Sequence, residues 1–462
     1  MKYRFILSLM LIFIVKTVVY AAPKAANFNN QEGMLNLPEV LIIPENSTFS
    51  ATLRQVDSSE FLFELNTIAP IGSSFSYYDP NNNILYIPNL TIRDKTYKNL
   101  QFELLSSETE ALRFRMITAE IDRNAIYEVQ ATVETKPVPA SGDAADDPAI
   151  WIHPQNPEKS VIIGTQKQGG LGVYDLSGKE IQYLADGNMN NVDLRYNFSL
   201  GADKIAIVAA SNRSNDSIAL YKVNPNTRTL ENVAAGTITV KLKHAVYGLC
   251  MYQSAASGKY YVFINDKSGM VEQWELFDNE SGLVDANLVR HLKVSSQVEG
   301  CVADDMLGNF YLGEERVGIW KFDAEPDGKK IGHLIDTIKG DGHITPEVEG
   351  LAIYYTNETE GYLLASNQGN DTYTVYNRAG NNEYLGKFKI IANETSNIDA
   401  VFDTDGIDVI NVPLSADFPY GLLVVQDGEN IDPDENQNFK LVPWENIANI
   451  LGLKKESSYN PR

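Results

Sequence analysis

Along most of the chain, short runs rich in Val, Ile, Tyr and Phe alternate with clusters of Asp, Asn, Gly and Pro. Runs such as Glu39 to Ile43, Phe61 to Leu65, Ile84 to Ile87 and Leu112 to Ile117 have strand length. Turn clusters such as Asp79-Pro80-Asn81-Asn82, Glu325-Pro326-Asp327-Gly328 and Ala379-Gly380-Asn381-Asn382 separate such runs. β-Branched and aromatic side chains fit a half-buried pleated surface, whereas Gly, Pro, Asn and Asp supply turn conformations. Helical spacing of apolar residues is nearly absent, the one persuasive stretch running from about Trp444 to Leu453. The pattern predicts an all-β protein.

Residues 22–130 read as one β-rich block, closed by the Pro-punctuated stretch Thr135-Lys136-Pro137-Val138-Pro139. The remainder of the chain, 131–455, repeats itself. A polar residue, a Gly and an apolar run recur at Tyr247-Gly248-Leu249, Glu299-Gly300-Cys301, Glu349-Gly350-Leu351 and Asp405-Gly406-Ile407. Val192-Asp193-Leu194 is a variant without the Gly, and Asp146-Asp147-Pro148 holds the corresponding place in the first unit. The spacing of roughly 45–55 residues is that of a four-stranded propeller blade. Six such units predict a six-bladed β-propeller behind a small β-rich N-terminal domain. A solenoid or a pair of sandwiches is the alternative, but a Gly-marked first strand suits strands crowding around a channel.

Lys2 and Arg4 precede an apolar run from Phe5 to Val15, and small residues near Ala21 offer a cleavage point. The run is too short to span a bilayer, so residues 1–21 read as a signal peptide and the mature protein as secreted or periplasmic. The net charge of −23 repels nucleic acid and anionic membranes, which excludes both as default partners. The protein is expected to act as a monomer. Cys250 and Cys301 stand near the starts of successive repeats but one position out of register, and they read as buried free thiols.

A second polar cluster follows each inner-strand motif. It is cationic in three units, Thr165-Gln166-Lys167, Ser211-Asn212-Arg213 and Asn265-Asp266-Lys267. In the other three it is Gly313-Glu314-Glu315, Ser366-Asn367-Gln368 and Gln426-Asp427-Gly428. Counted from Asp147, Asp193 and Tyr247, the three cations each fall twenty positions on. Equal offsets in equal blades predict that Lys167, Arg213 and Lys267 gather at one end of the channel, beside Asp147, Asp193, Glu299, Glu349 and Asp405. Converging carboxylates raise one another's pKa values unless a cation joins them, and an oxygen-rich site suits Ca²⁺. Cations beside such a site complement a polyanion, phosphate above all. None of the five histidines lies in a nucleophile motif, neither cysteine has an Arg six positions on, and no Gly-x-Ser-x-Gly occurs. Metal-activated water is the hydrolytic chemistry left.

The stretches Gly142-Asp143-Ala144-Ala145-Asp146-Asp147-Pro148-Ala149-Ile150-Trp151, Asn190-Asn191-Val192-Asp193-Leu194-Arg195-Tyr196, Ala210-Ser211-Asn212-Arg213-Ser214, Val348-Glu349-Gly350-Leu351, Asp403-Thr404-Asp405-Gly406-Ile407-Asp408-Val409 and Gln426-Asp427-Gly428-Glu429-Asn430 stand in one order. With Asn436-Gln437-Asn438-Phe439-Lys440 and Val442-Pro443-Trp444-Glu445 they resemble the β-propeller phytases over the chain after about 130. The resemblance implies a phosphoric monoester hydrolase of the 3-phytase type. It would release phosphate from phytate (inositol hexakisphosphate) or calcium phytate by attack of calcium-activated water. It further implies that Lys167, Arg213 and Lys267 bind phosphate and that Asp146, Asp147, Tyr247, Glu299, Glu315, Glu349 and Asp405 hold catalytic calcium or orient water. Asp399 and Asn430 resemble positions around structural calcium. Gln168 and Ser268 depart from the family, which often has Lys and Glu there. The alternative function is a non-catalytic propeller that binds polyanions or partners through calcium. The leading block lies outside the resemblance to single-propeller members and suits an accessory binding role.

Overall fold

The computed structural model describes residues 26–29, 33–42, 47–57, 62–70, 76–79, 82–92, 95–105 and 113–459. The N-terminal segment read as a signal peptide lies outside them. Two compact units divide the chain, Met1–Ala125 and Ile126–Arg462. In the first, eight described strands form one sheet, and Met34–Ile42 pairs both with Ser47–Asp57 and, in parallel, with Ser76–Asp79, so the sheet curls back on itself. Alternation sends Leu35, Leu37, Ala51, Leu53, Leu85 and Ile87 to its buried core.

Among the described residues the second unit holds six sheets. Their innermost strands are Ala145–Trp151, Met189–Leu200, Val246–Gln253, Val298–Asp304, Val348–Tyr355 and Ile407–Ile410, numbered here as the first to sixth sheets. Each innermost strand packs against the next, and the sixth returns to the first, so the sheets surround a common axis as in a β-propeller. Apolar clusters fill the space between neighbouring sheets, for example Trp151, Ile163 and Val173 against Val208 and Tyr221. Burial on both faces explains why these strands read as near-continuous apolar runs.

Strands from the start of this unit tie its ends together. Val133–Glu134 completes the sixth sheet by pairing with Asn438–Pro443. Ile126–Gln130, which the sequence pattern assigns to the leading block, pairs in parallel with Tyr384–Ile391 of the fifth sheet. The C-terminal helix Trp444–Leu451 ends at Gly452 in the left-handed region (φ 68°), and Trp444 stacks on Tyr354 at 3.7 Å. Among the described residues no helix is long and apolar enough to cross a membrane.

The Gly after each polar residue has a steric cause. A Cβ on Gly248 would lie 1.9 Å from the Glu299 carbonyl oxygen, and one on Gly300 would lie 1.7 Å from that of Glu349. Neighbouring innermost strands therefore touch backbone to backbone around the axis. This closeness also corrects the reading of the cysteines: Cys250 and Cys301 form a disulfide, with Cα atoms 5.7 Å apart, between the third and fourth innermost strands. Strands of different sheets share no ladder, so equal register was the wrong test for whether these thiols could meet.

Candidate active site

The ladders show how each sheet places its polar residues. In the third sheet Val246 pairs with Asp266 and Leu249 with Ile264, so two residues, Tyr247 and Gly248, bulge between the paired positions. The same irregularity occurs at Ala145/Pro148, Met189/Val192, Val298/Cys301 and Val348/Leu351. The first bulged residues are Asp146, Asn190, Tyr247, Glu299 and Glu349. Asp405, just ahead of Ile407–Ile410, holds the matching place in the sixth sheet.

The second cluster follows this register. The backbone N–H groups of Lys167, Arg213, Glu315 and Gln368 donate to the carbonyls of Ala144, Asn188, Gln297 and Glu347, each two residues before its sheet's bulge residue. Lys167, Arg213 and Glu315 thus occupy equivalent places, as expected, but the residue equivalent to Tyr247 in the second sheet is Asn190. Asp193 pairs in the regular ladder with Ala209, and its carboxylate lies 2.9 Å from Arg195 Nη1. The count of twenty from Asp193 was a coincidence of spacing. Asp147 holds the place of Gly248; its Oδ2 accepts the Val192 N–H at 3.0 Å.

The first side chain of the second cluster fixes a bulge residue of the neighbouring sheet. Thr165 Oγ1 donates to the Asn190 carbonyl (2.6 Å), Ser211 Oγ to that of Tyr247 (2.6 Å), Asn265 Nδ2 to that of Glu299 (2.8 Å) and Ser366 Oγ to that of Asp405 (2.7 Å). Each also accepts a backbone N–H from the innermost strand of its own sheet. One polar side chain thereby links two neighbouring sheets at the level of the site.

The side chains of Glu299, Glu315 and Glu349 converge, with one oxygen of each within 4.8 Å of the others and all three residues buried. Lys167 Nζ lies 2.5 Å from Asp143, 3.3 Å from Asp146 and 2.8 Å from Asp405, and Gln368 Nε2 donates to Asp405 at 2.6 Å. Arg213 Nη1 donates to Asn190 Oδ1 at 3.0 Å. Lys267 Nζ and the Arg213 guanidinium stand 4.0 Å and 5.8 Å from the centre of the Tyr247 ring. The structure thus brings Asp146, Tyr247, Glu299, Glu315, Glu349 and Asp405 together with the three cations. It adds Asp143, Asn190 and Gln368, which sequence reasoning did not put at the site.

Electrostatics mark the same place. Burial and then Glu299 push Glu315 up to about 7, and burial pushes Asp405 up to about 7 against the pull of Lys167. Asp146 and Glu349 are raised well above the carboxylate range, by burial first and then by neighbouring carboxylates. Burial, Glu299 and Glu349 raise the Tyr247 hydroxyl. Glu315 Oε1 and Glu349 Oε2 are buried without a hydrogen-bond partner. Asp146 Oδ2 also lacks one, facing Lys167 at ion-pair distance only. Orphaned oxygens on crowded carboxylates, with no sulfur or imidazole among them, fit a hard divalent cation such as Ca²⁺.

The second expected ion site differs. Asp399 Oδ1 meets the buried ammonium of Lys440, which also pairs with Asp427 at 2.8 Å, and Asp399 Oδ2 accepts the Ile431 N–H at 2.7 Å. Asn430 Oδ1 is buried and unpartnered. Of these two residues, Asn430 is the one with an oxygen that has no hydrogen-bond partner. Gln168 donates to the Ser141 and Asp143 carbonyls, and Ser268 donates to Asp266. Both residues lie in turns.

The phytase family model matches residues 98–462. The chain is also 46% identical, over 343 residues, to a 3-phytase of Bacillus subtilis (strain 168), a match covering 73% of this chain and 89% of the relative. With a family match across most of its length and a curated relative this similar, the chain belongs to the phytase family.

Proposed function

We propose that this protein is a calcium-dependent phytase that hydrolyses phosphate monoesters of inositol hexakisphosphate in six-bladed propeller form. The observation that carries the proposal is the meeting of three cations with the Glu299–Glu315–Glu349 cluster at one level of the propeller. Those three carboxylates, with Asp146, Tyr247 and Asp405 as further oxygen donors, would hold Ca²⁺. When bound, it supplies positive charge for phosphoryl oxygens and acidifies water.

The chain's own residues account for the rest. Lys167 is held by Asp143, Asp146 and Asp405, so its ammonium is fixed in place before substrate arrives. Arg213 presents a planar fork of N–H donors suited to two phosphate oxygens, and Lys267 adds a compact charge beside it. The Tyr247 ring lies under both cations and keeps them near each other without using their donors. Fixed positive charge aimed at a transferring phosphoryl group stabilises the transition state most where water is excluded. We propose that the enzyme is exported, that residues 1–21 direct it, and that the first unit is an accessory domain.

The loss of an acid at Ser268 favours a second reading, a propeller that binds polyanions without turnover. Phosphate release from phytate, with calcium and with EGTA, separates the two. The proposal expects release that EGTA abolishes and added calcium restores. Calcium-dependent binding of phytate by the folded protein with no release would establish the second reading instead.

A further inference from the structure

Each of the six sheets around the axis contributes one residue at this register to the site, a bulge residue in five and Asp405 in the sixth, and five of the six are Asp, Glu or Tyr. Asn190 of the second sheet is the one amide. It is wholly buried, and its two ends face opposite charges. Nδ2 donates to Glu299 Oε1 at 2.5 Å and to Asn191 Oδ1 at 2.9 Å, while Oδ1 accepts from Arg213 Nη1 at 3.0 Å. Its backbone carbonyl is pinned by Thr165. An amide carries donor and acceptor on one rigid plane, so it can serve a carboxylate and a guanidinium at once. Asp would offer the guanidinium its acceptor but would set a second negative charge against Glu299.

Among the described residues this is the one side-chain hydrogen bond of the Arg213 guanidinium, which also lies over the Tyr247 ring. We propose that Asn190 is a positioning residue. It orients Arg213 for the substrate's phosphate and couples that orientation to the carboxylate of Glu299. The proposal rests on the phytase reading above. Arg213 is thereby held with Nε and Nη2 left for phosphate, and a change at Glu299 reaches the substrate-binding arginine through a single side chain.

The test is a double-mutant cycle on the full protein in calcium, with Asn190→Ala, Arg213→Ala and the double variant. Calorimetry reads the affinity for inositol hexasulfate, a non-hydrolysable polyanion, and kinetics reads KM and kcat on phytate. A hydrogen bond to a charged group corresponds to roughly tenfold in affinity. Asn190→Ala is expected to weaken binding about tenfold in the parent, and KM with it, but less than about twofold once Arg213 is gone. Equal losses in both backgrounds, or no loss in either, would overturn the proposal. If Asn190→Ala does not fold, Asn190→Asp carries the test, because it retains the acceptor for Arg213. In that background Arg213→Ala should still weaken binding as much as in the parent, and no further weakening would overturn the proposal. A folded parent that binds no hexasulfate overturns this proposal and the phytase reading together, whereas a binding parent with an additive cycle overturns this one alone.

Discussion

Glu299 is the residue on which most of the site converges: it meets Glu315 and Glu349, accepts from Asn190 and acts on the Tyr247 hydroxyl. Replacing it with Gln removes one charge while preserving shape. Loss of a single preorganised electrostatic group lowers turnover by about 10²–10³, and Glu299→Gln is expected to lose at least about a hundredfold in kcat/KM on phytate. The acids also set a pH dependence. Glu315, with an ordinary value of 4.5, is raised to about 7 in the folded protein, so the folded state holds this proton more tightly than the unfolded chain. Metal-free protein should therefore lose stability as pH rises from about 4.5 to 7, and a cation that needs ionised carboxylates should restore it. Melting curves at pH 5 and 8, with EGTA and with calcium, check this. A metal-free protein that melts higher at pH 8 would contradict it. At this scale Lys167, Arg213, Lys267 and the acids were legible because charged residues recur in order. Asn190 was not, because an uncharged amide gives no signal until the bulge fixes the register.

Strand order and blade spacing were legible because alternation, turn residues and the Gly after each polar residue are local signals. The two-residue bulge was not legible, since it is defined by the pairing between strands, which the local sequence does not mark. Those bulges place one side chain per sheet at the site, and the close packing beneath them leaves no room for change. Gly300→Ala puts a Cβ 1.7 Å from a backbone oxygen of the neighbouring strand. The backbone must shift, at a cost of about 1–3 kcal/mol, read as a lower midpoint in urea. The Cys250–Cys301 disulfide joins the strands that carry Tyr247 and Glu299 and closes a loop of 51 residues. Loop-closure entropy gives such a link up to about 4 kcal/mol, so the double Ser variant should melt lower while still binding calcium. Unchanged melting would show that packing alone holds the two strands together.

Over the whole molecule, closure depends on chain segments that are far apart in sequence. The strands Ile126–Gln130 and Val133–Glu134 join the fifth and sixth sheets, so the ring is complete once the chain begins at 126. A chain starting there should fold and hydrolyse phytate, whereas one starting at 136 should melt markedly lower; equal melting of the two would argue against a closing role. The sequence placed the boundary near the Pro-rich stretch because Pro marks edges and linkers, but pairing partners more than 250 residues away leave no local trace. Anomalous diffraction from crystals grown with calcium decides whether one level of this ring forms a calcium-loaded phosphate site. Ion density bounded by Glu299, Glu315 and Glu349 is the expected result. Calcium bound elsewhere in the protein, with those three carboxylates bare, would contradict it.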